Sequence, residues 1–471
     1  MPSTLFYLST VFAALTSLVV KAAFPPKIYG VNLGSWLLVE PWMLPQEWID
    51  MGGQQCDDCS QCIASEFEFA KAFPDTVDAK FNVHWNTWFN QSDVDELARL
   101  GINTVRVPLG YWIVEDLVDR STEFYPRGGL KQLRRGLQQL KNAGITAILD
   151  HHALPGVQDA QQMFTGRCTT DVEFYTPHNY HRALVWTAVM TALTHLDPNF
   201  DSVTAIEAVN EPIMDATQTP GYGDFQKHFV EVVRAVELAL GVSVPSYEDN
   251  YNKLPFSTNI TVSFNTVCGQ SIFDSEVASV LMDSIPIILK IATEFDLLPI
   301  LGFSRKPGSH AEPLFTNFMD INWQHNNPSN PADAAIGPQI YDNHLYYSFE
   351  AYLTSICNLD RIQSDAALGN TPLYFGEWAL PTQFQATDEF LFKWADAQKL
   401  AYSKGAGWLF WNFKIEKSQL AGDMARQWSY TEGVRLGFLT QDPSKVHDPN
   451  VCAPYINSST ATTTASYGSS R

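Results

Sequence analysis

Short apolar runs separated by longer amphipathic stretches set the rhythm of this chain. Ile28–Leu33, Thr104–Pro108, Ala147–Asp150, Val203–Val209, Leu297–Phe303, Gln339–Asn343, Leu373–Phe375 and Gly407–Trp411 are rich in apolar, β-branched and aromatic residues. Runs this short between turn signals predict eight strands, and strands apolar on both faces belong in a covered parallel sheet. Helices are predicted between them. One spans Ser92–Leu100, with Ser92 as its cap and Asp93, Asp95 and Glu96 in its first turns. A second runs from Leu130 to Ala143 and stops at Gly144, and Phe225–Leu240 and Asp388–Lys404 continue the alternation. Eight strands alternating with helices predict an α/β chain folded as a (β/α)8 or TIM barrel, one catalytic-sized domain over residues 23–456.

The spacing is uneven. A long connection follows the fourth strand, Ser/Asn/Pro-rich between Gly241 and Asp274. A second, Ser304–Ala335, separates the fifth and sixth strands and carries Phe315, Phe318 and Trp323. Loops that follow barrel strands build the active face, so these elaborations either shape a cleft or are inert decoration.

Composition narrows the class of partner. A net charge of −21 argues against nucleic acid and anionic membranes. Thirteen tryptophans fit binding of pyranose rings, whose C–H faces stack on aromatic faces, although tryptophan also fills cores. Residues 1–22, apolar from Leu5 to Val20 and followed by Ala22 and Ala23, are expected to be a secretory signal peptide too short for a membrane span. The tail 457–471 is Ser/Thr-rich and expected to be disordered. Sequons at Asn90, Asn259 and Asn457 are candidate glycosylation sites and agree with a secreted, extracellular or cell-wall protein. Seven cysteines leave at least one unpaired. The run Cys56-x-x-Cys59-x-x-Cys62 has zinc-like spacing, but no partner motif accompanies it, and a disulfide-stapled loop is the simpler reading.

The chemistry is concentrated at two predicted strand ends. Asn210-Glu211-Pro212 closes the fourth strand and Gly376-Glu377-Trp378 the seventh. Two carboxyls facing one another about 5–5.5 Å apart are the equipment of a retaining glycoside hydrolase, one as acid/base and the other as nucleophile. Either alone could be a structural carboxylate paired with a cation. Arg106 could hold a neighbouring carboxylate ionised, and the Asn210 amide could bind a sugar 2-hydroxyl. Histidines close the third strand (Asp150-His151-His152) and the sixth (His344, with Tyr346 beyond), as active-site or satisfied rim residues. Residues 151 and 152 point to opposite faces of a strand, which disfavours a metal. Trp411 is either the floor of a sugar subsite or core.

Assembled in this order, the chain resembles glycoside hydrolase family 5, and within it the fungal exo-β-1,3-glucanases. The likeness runs from about Gly30 to Phe413. Tyr29-Gly-Val-Asn-Leu-Gly-Ser-Trp36 is similar to that group's Gly-Val-Asn-Leu-Gly-Gly-Trp opening, with Ser35 in place of its second glycine. Asp150-His-His-Ala-Leu-Pro-Gly156 echoes its third-strand motif, which assigns the family histidine to His152. The resemblance implies Glu211 as acid/base and Glu377 as nucleophile. It also implies a glucosyl subsite completed by Arg106, His152, Asn210, His344, Tyr346 and Trp411. The substrate is then a β-glucan or other β-glycoside, with no metal or organic cofactor, and the protein is expected to be a monomer. A wider interval between the two glutamates and the continuation Ala-Leu-Pro after Gly-Glu-Trp leave the linkage open. Exo-β-1,3-glucanase is the first expectation. A diglycosidase of the rutinosidase type, a β-1,6-glucanase, an endo-β-1,4-glucanase and an inactive glucan-binding barrel are the alternatives.

Overall fold

Eight parallel strands close into a barrel in simple sequence order. They are β1 (Ile28–Asn32), β2 (Thr104–Gly110), β3 (Thr146–Ala153), β4 (Val203–Glu207), β5 (Phe315–Met319), β6 (Gln339–His344), β7 (Leu373–Glu377) and β8 (Gly407–Phe410). This computed structural model describes residues 24–247, 254, 257, 259–297, 312–321, 323, 329–347 and 351–456. Segment 1–22, the tail 457–471 and the sequon residue Asn457 lie outside the described residues.

Strand alternation decides what fills the barrel. The inward positions nearest the strand starts are apolar. Ile28, Ile148, Ala205, Ile340, Tyr374 and Leu409 form a dry plug against which Phe24 and Phe315 pack. Further along the strands the inward positions turn polar: Asn32, Arg106, Asp150, Glu207, Asn317 and Asp342 are all buried. The outward residues Val31, Val105, Val107, Leu149, Ile206, Phe318, Phe375, Trp408 and Phe410 join the large core under the helices. His151 also points outward and stacks on Trp186 of the Pro177–Leu196 helix, ring centroids 3.9 Å apart.

The fifth strand is not where the apolar pattern placed it. Residues 298–303 of the expected Leu297–Phe303 strand lie outside the described residues, and the barrel is completed by Phe315–Met319. That strand lacks a continuous apolar run because Asn317 faces the polar interior, donating to the Tyr374 hydroxyl at 2.6 Å. The elaboration therefore falls almost wholly between β4 and β5, over residues 208–314, and β5–β6 is joined by residues 320–338. Part of the Gly241–Asp274 stretch expected as loop is helical, at Ile260–Cys268, and a second helix, Ser275–Glu294, follows it. The first predicted helix runs Gln91–Arg99 and is capped by Asn90, not Ser92. Asn90 Oδ1 accepts from the Ser92 N–H while Asp93 Oδ2 accepts from the Asn90 N–H, which completes a capping box. Asn259, also a sequon residue, caps the Ile260–Cys268 helix.

A buried ion pair receives the chain as it returns. Arg234, on the Tyr222–Ala239 helix, donates to the carbonyls of Leu314, Ile336 and Pro338 at 2.7–2.9 Å. Its Nη1 meets Glu237 Oε2 at 2.7 Å, and Glu237 Oε1 accepts from the Leu314 N–H. One guanidinium thus fixes the entrances to both β5 and β6. Disulfides fasten the periphery. Cys56–Cys62 closes the Cys-x-x-Cys-x-x-Cys segment on itself and Cys59–Cys168 ties it to the loop after β3, so these thiols form bridges and not a zinc site. Cys357–Cys452 secures the C-terminal segment, and Cys268 is the free thiol among the described residues.

Arg234→Met leaves Glu237 buried without its guanidinium and takes a charged donor from three carbonyls, of which Pro338 keeps the Thr316 N–H. It is expected to cost about 3–5 kcal/mol in a urea unfolding titration. A loss below about 1 kcal/mol would show that this pair does not hold the barrel closed.

Candidate active site

Arg106 stands at the centre of the polar layer, fully buried on β2, with its guanidinium spread across four neighbouring strands. Nε lies 2.7 Å from Glu207 Oε2 on β4, and Nη1 lies 2.9 Å from Glu377 Oε1 on β7 and 3.1 Å from Asp150 Oδ2 on β3. Nη2 donates to Asn210 Oδ1 at 2.7 Å, and Asp342 Oδ2 on β6 is 3.6 Å from Nε. An arginine surrounded by carboxylates has no reachable neutral state, and it holds all of these side chains in one register.

Above this layer the two sequence-singled glutamates meet. Glu377 is the last residue of β7, and a register shift between Asn343 and His344 sets His344 opposite it. β4 ends at Glu207 and not at Val209, so Glu211 follows four residues later at φ +40, a left-handed backbone conformation that a glutamate adopts only under constraint. His344 Nδ1 lies 2.7 Å from Glu211 Oε1 and 3.6 Å from Glu377 Oε2, and oxygens of the two glutamates come within 4.8 Å of each other. The Tyr346 hydroxyl donates to Glu377 Oε2 at 3.0 Å. His152 bonds Asp150 Oδ2 at 2.5 Å and stacks on Trp411, planes 9° apart and centroids 5.6 Å apart. Trp411 is one residue past the end of β8 and almost wholly buried. Thus Arg106, His152, Asn210, Glu211, His344, Tyr346, Glu377 and Trp411 all converge on one end of the barrel. His151 does not join them.

Burial dominates the electrostatics. It pushes the Glu207, Glu377 and Asp150 carboxyls above their ordinary range, against the pull of Arg106. Burial would push His344 down, but Glu377, Asp342 and the bond to Glu211 outweigh it and raise this imidazole well above 6.5. His152 is lowered, chiefly by burial and then by Arg106. Glu207, Asp342 and His344, and likewise Glu211, His344 and Glu377, are close enough to hold a cation. The chain already supplies positive charge to both groups through Arg106 and His344, so the site is chemically coherent as an acid–base pair.

Several neighbours escaped the sequence reading. Glu207 and Asp342 are interior acids of β4 and β6, and strand alternation from Glu211 and His344 would have exposed them. Glu40, in the loop after β1, accepts from the Trp42 indole at 3.0 Å. Its carboxyl is pushed up to about 8, mainly by burial, with the charges of Glu377 and Glu211 adding to the rise. Trp42 stands edge-on to Trp428, which packs against Tyr346, so this loop borders the same cleft. Asp159, in the loop after β3, is raised to about 6 by burial and then by Glu211. Of the three aromatics expected in the β5–β6 loop, Phe315 and Phe318 belong to β5, and Trp323 packs edge-on against His344 at 5.4 Å.

Comparison with known proteins identifies the family. The family model for Cellulase (glycosyl hydrolase family 5) matches residues 71–417. A glucan endo-1,6-beta-glucosidase B of Emericella nidulans is 28% identical over 450 residues, covering 90% of this chain and 88% of that protein. A glucan 1,3-beta-glucosidase of Blumeria graminis is 34% identical over 189 residues, covering 40% of this chain and 41% of its own. The rutinosidase of Aspergillus niger shares the fold, with a TM-score of 0.54 at 17% identity over 88% of this chain and 97% of that one. With a barrel, an ordered acidic pair and a family match across most of its length, this chain belongs to glycosyl hydrolase family 5.

Proposed function

We propose that the chain is a retaining β-glucan hydrolase in which Glu377 is the nucleophile and Glu211 the acid/base. The observation that carries this reading is the contrast between the partners of the two glutamates. Each Glu377 oxygen accepts from a committed donor, Oε1 from Arg106 and Oε2 from Tyr346. Hydrogen bonds to both oxygens favour the ionised carboxylate that a nucleophile needs, against the burial that raises Glu377. Glu211 then protonates the leaving glycosidic oxygen while Glu377 attacks the anomeric carbon and forms a glycosyl ester. With its proton gone, Glu211 takes one from water, which attacks the same carbon, expels Glu377 and leaves the configuration as it began. Asn210 keeps Oδ1 on Arg106, and its Nδ2 has no partner among the described residues, leaving a donor for the sugar 2-hydroxyl. Trp411, braced by His152, is the platform for the glycone ring.

The linkage favoured is β-1,6, cut internally. Support comes from relatives named for endo-1,6 activity that align over nearly the full length. Exo-cleavage of β-1,3-glucan is the second reading, favoured by the opening motif and by higher identity over a shorter stretch. Three disulfides support action in an oxidising, extracellular setting.

Glu377→Gly is expected to be inactive on an aryl β-glucoside and to be rescued by azide as the α-glycosyl azide. Glu211→Ala is expected to lose about 10²–10⁴-fold and to give the β-azide. The opposite stereochemical pairing would exchange the two roles. A panel of pustulan, laminarin, carboxymethylcellulose and rutin, with product sizing, decides the linkage. Oligosaccharides from pustulan support the first reading, glucose alone from laminarin the second, and free rutinose from rutin would overturn both.

A further inference from the structure

Ser35 lies just after β1 at φ +56, where a side chain is disfavoured and glycine relaxes. The resembling opening motif has glycine here. The serine is fully buried, and its hydroxyl is used twice on the same residue. Oγ accepts from the Glu40 N–H at 3.0 Å and donates to the Glu40 carbonyl at 3.0 Å. Behind it, the Ser35 carbonyl lies 2.7 Å from His84 Nε2, and His84 Nδ1 lies 2.8 Å from Glu47 Oε1. The turn is pinned from the other side by Asn412, whose Oδ1 accepts from the Gly34 N–H and whose Nδ2 donates to the Gly34 carbonyl.

Neither hydroxyl bond touches the Glu40 side chain. Together they fix both main-chain groups of the residue from which that carboxyl projects. On its far side Glu40 Oε2 accepts from Trp42, which leads through Trp428 and Tyr346 to Glu377. We propose that Ser35 is a positioning residue whose hydroxyl clamps the Glu40 main chain and so holds the Glu40 carboxyl at the sugar-binding face of the cleft. This rests on the function proposed above. A strained serine whose hydroxyl is wholly committed to one neighbour points to a requirement for that hydroxyl, since glycine would fold the turn with less constraint. His84 holds the opposite end of the same lever by anchoring the Ser35 carbonyl.

Ser35→Gly separates the two roles, because it relaxes the backbone while deleting the hydroxyl. The melting temperature is expected to be unchanged or higher. On the better of a β-1,6- and a β-1,3-linked glucotetraose, KM is expected to rise up to about tenfold with kcat within about twofold, the pattern of a lost binding contact. Glu40→Gln is expected to show the same kind of defect, and the double variant to be no worse than the poorer single one. Wild-type kinetics in Ser35→Gly, or losses that multiply in the double variant, would overturn the inference. A wild-type protein inert on every β-glucan offered would remove the functional reading itself and this inference with it.

Discussion

One positive charge inside the barrel organises nearly everything above it. Arg106 contacts side chains from β3, β4, β6 and β7, and Asn210 beyond β4, so strands far apart in sequence are referred to a single guanidinium. Removing such a charge from water is costly, and only the surrounding carboxylates make its burial tolerable. Those carboxylates are in turn too numerous for one cation, which is why burial and mutual repulsion raise several of them. Proton sharing between close acids is therefore built into the frame before any substrate arrives.

The dry plug below and the polar layer above express the same alternation along each strand. Ile148, Asp150 and His152 occupy successive inward positions of β3 and pass from packing to charge to the cleft. Ala205 and Glu207 do so on β4, and Ile340, Asp342 and His344 on β6. The barrel thereby places reactive groups at one end without a special motif. Loops supply the rest: the β1 loop brings Glu40 and Trp42, the β3 loop Asp159, and the β5–β6 loop Trp323.

Much of this was legible in the sequence because strands that end in Glu, His or Trp are conspicuous. Seven of the strands fall where apolar runs predict them; alternation sets His151 and His152 on opposite faces, and the family resemblance assigns the site to His152. The fifth strand was hidden because Asn317 interrupts it for the sake of an interior bond to Tyr374, while the more apolar stretch upstream drew the assignment. Glu40 was hidden for a different reason. A loop acid has no periodicity, and only the tertiary path from Trp42 to Tyr346 reveals where it faces. The Asn90 cap was masked by a serine two residues on, of equal capping propensity.

The sealed acids have a consequence for the medium in which the molecule survives. Glu40 and Glu66 are pushed up to about 8 by burial from an ordinary value of 4.5. Between those limits the native chain retains protons that the unfolded chain has surrendered, so each step toward alkalinity favours unfolding. The submerged imidazoles of His151 and His152, lowered below 6.5, act in the contrary sense only under that value. From about pH 6.5 to 8 the acids outweigh the opposing amine of Lys399, which burial lowers to about 8, and the melting temperature should decline through that interval; a level or climbing profile would contradict it. The architecture that concentrates acid for bond cleavage thus also ties the protein's endurance to sour surroundings.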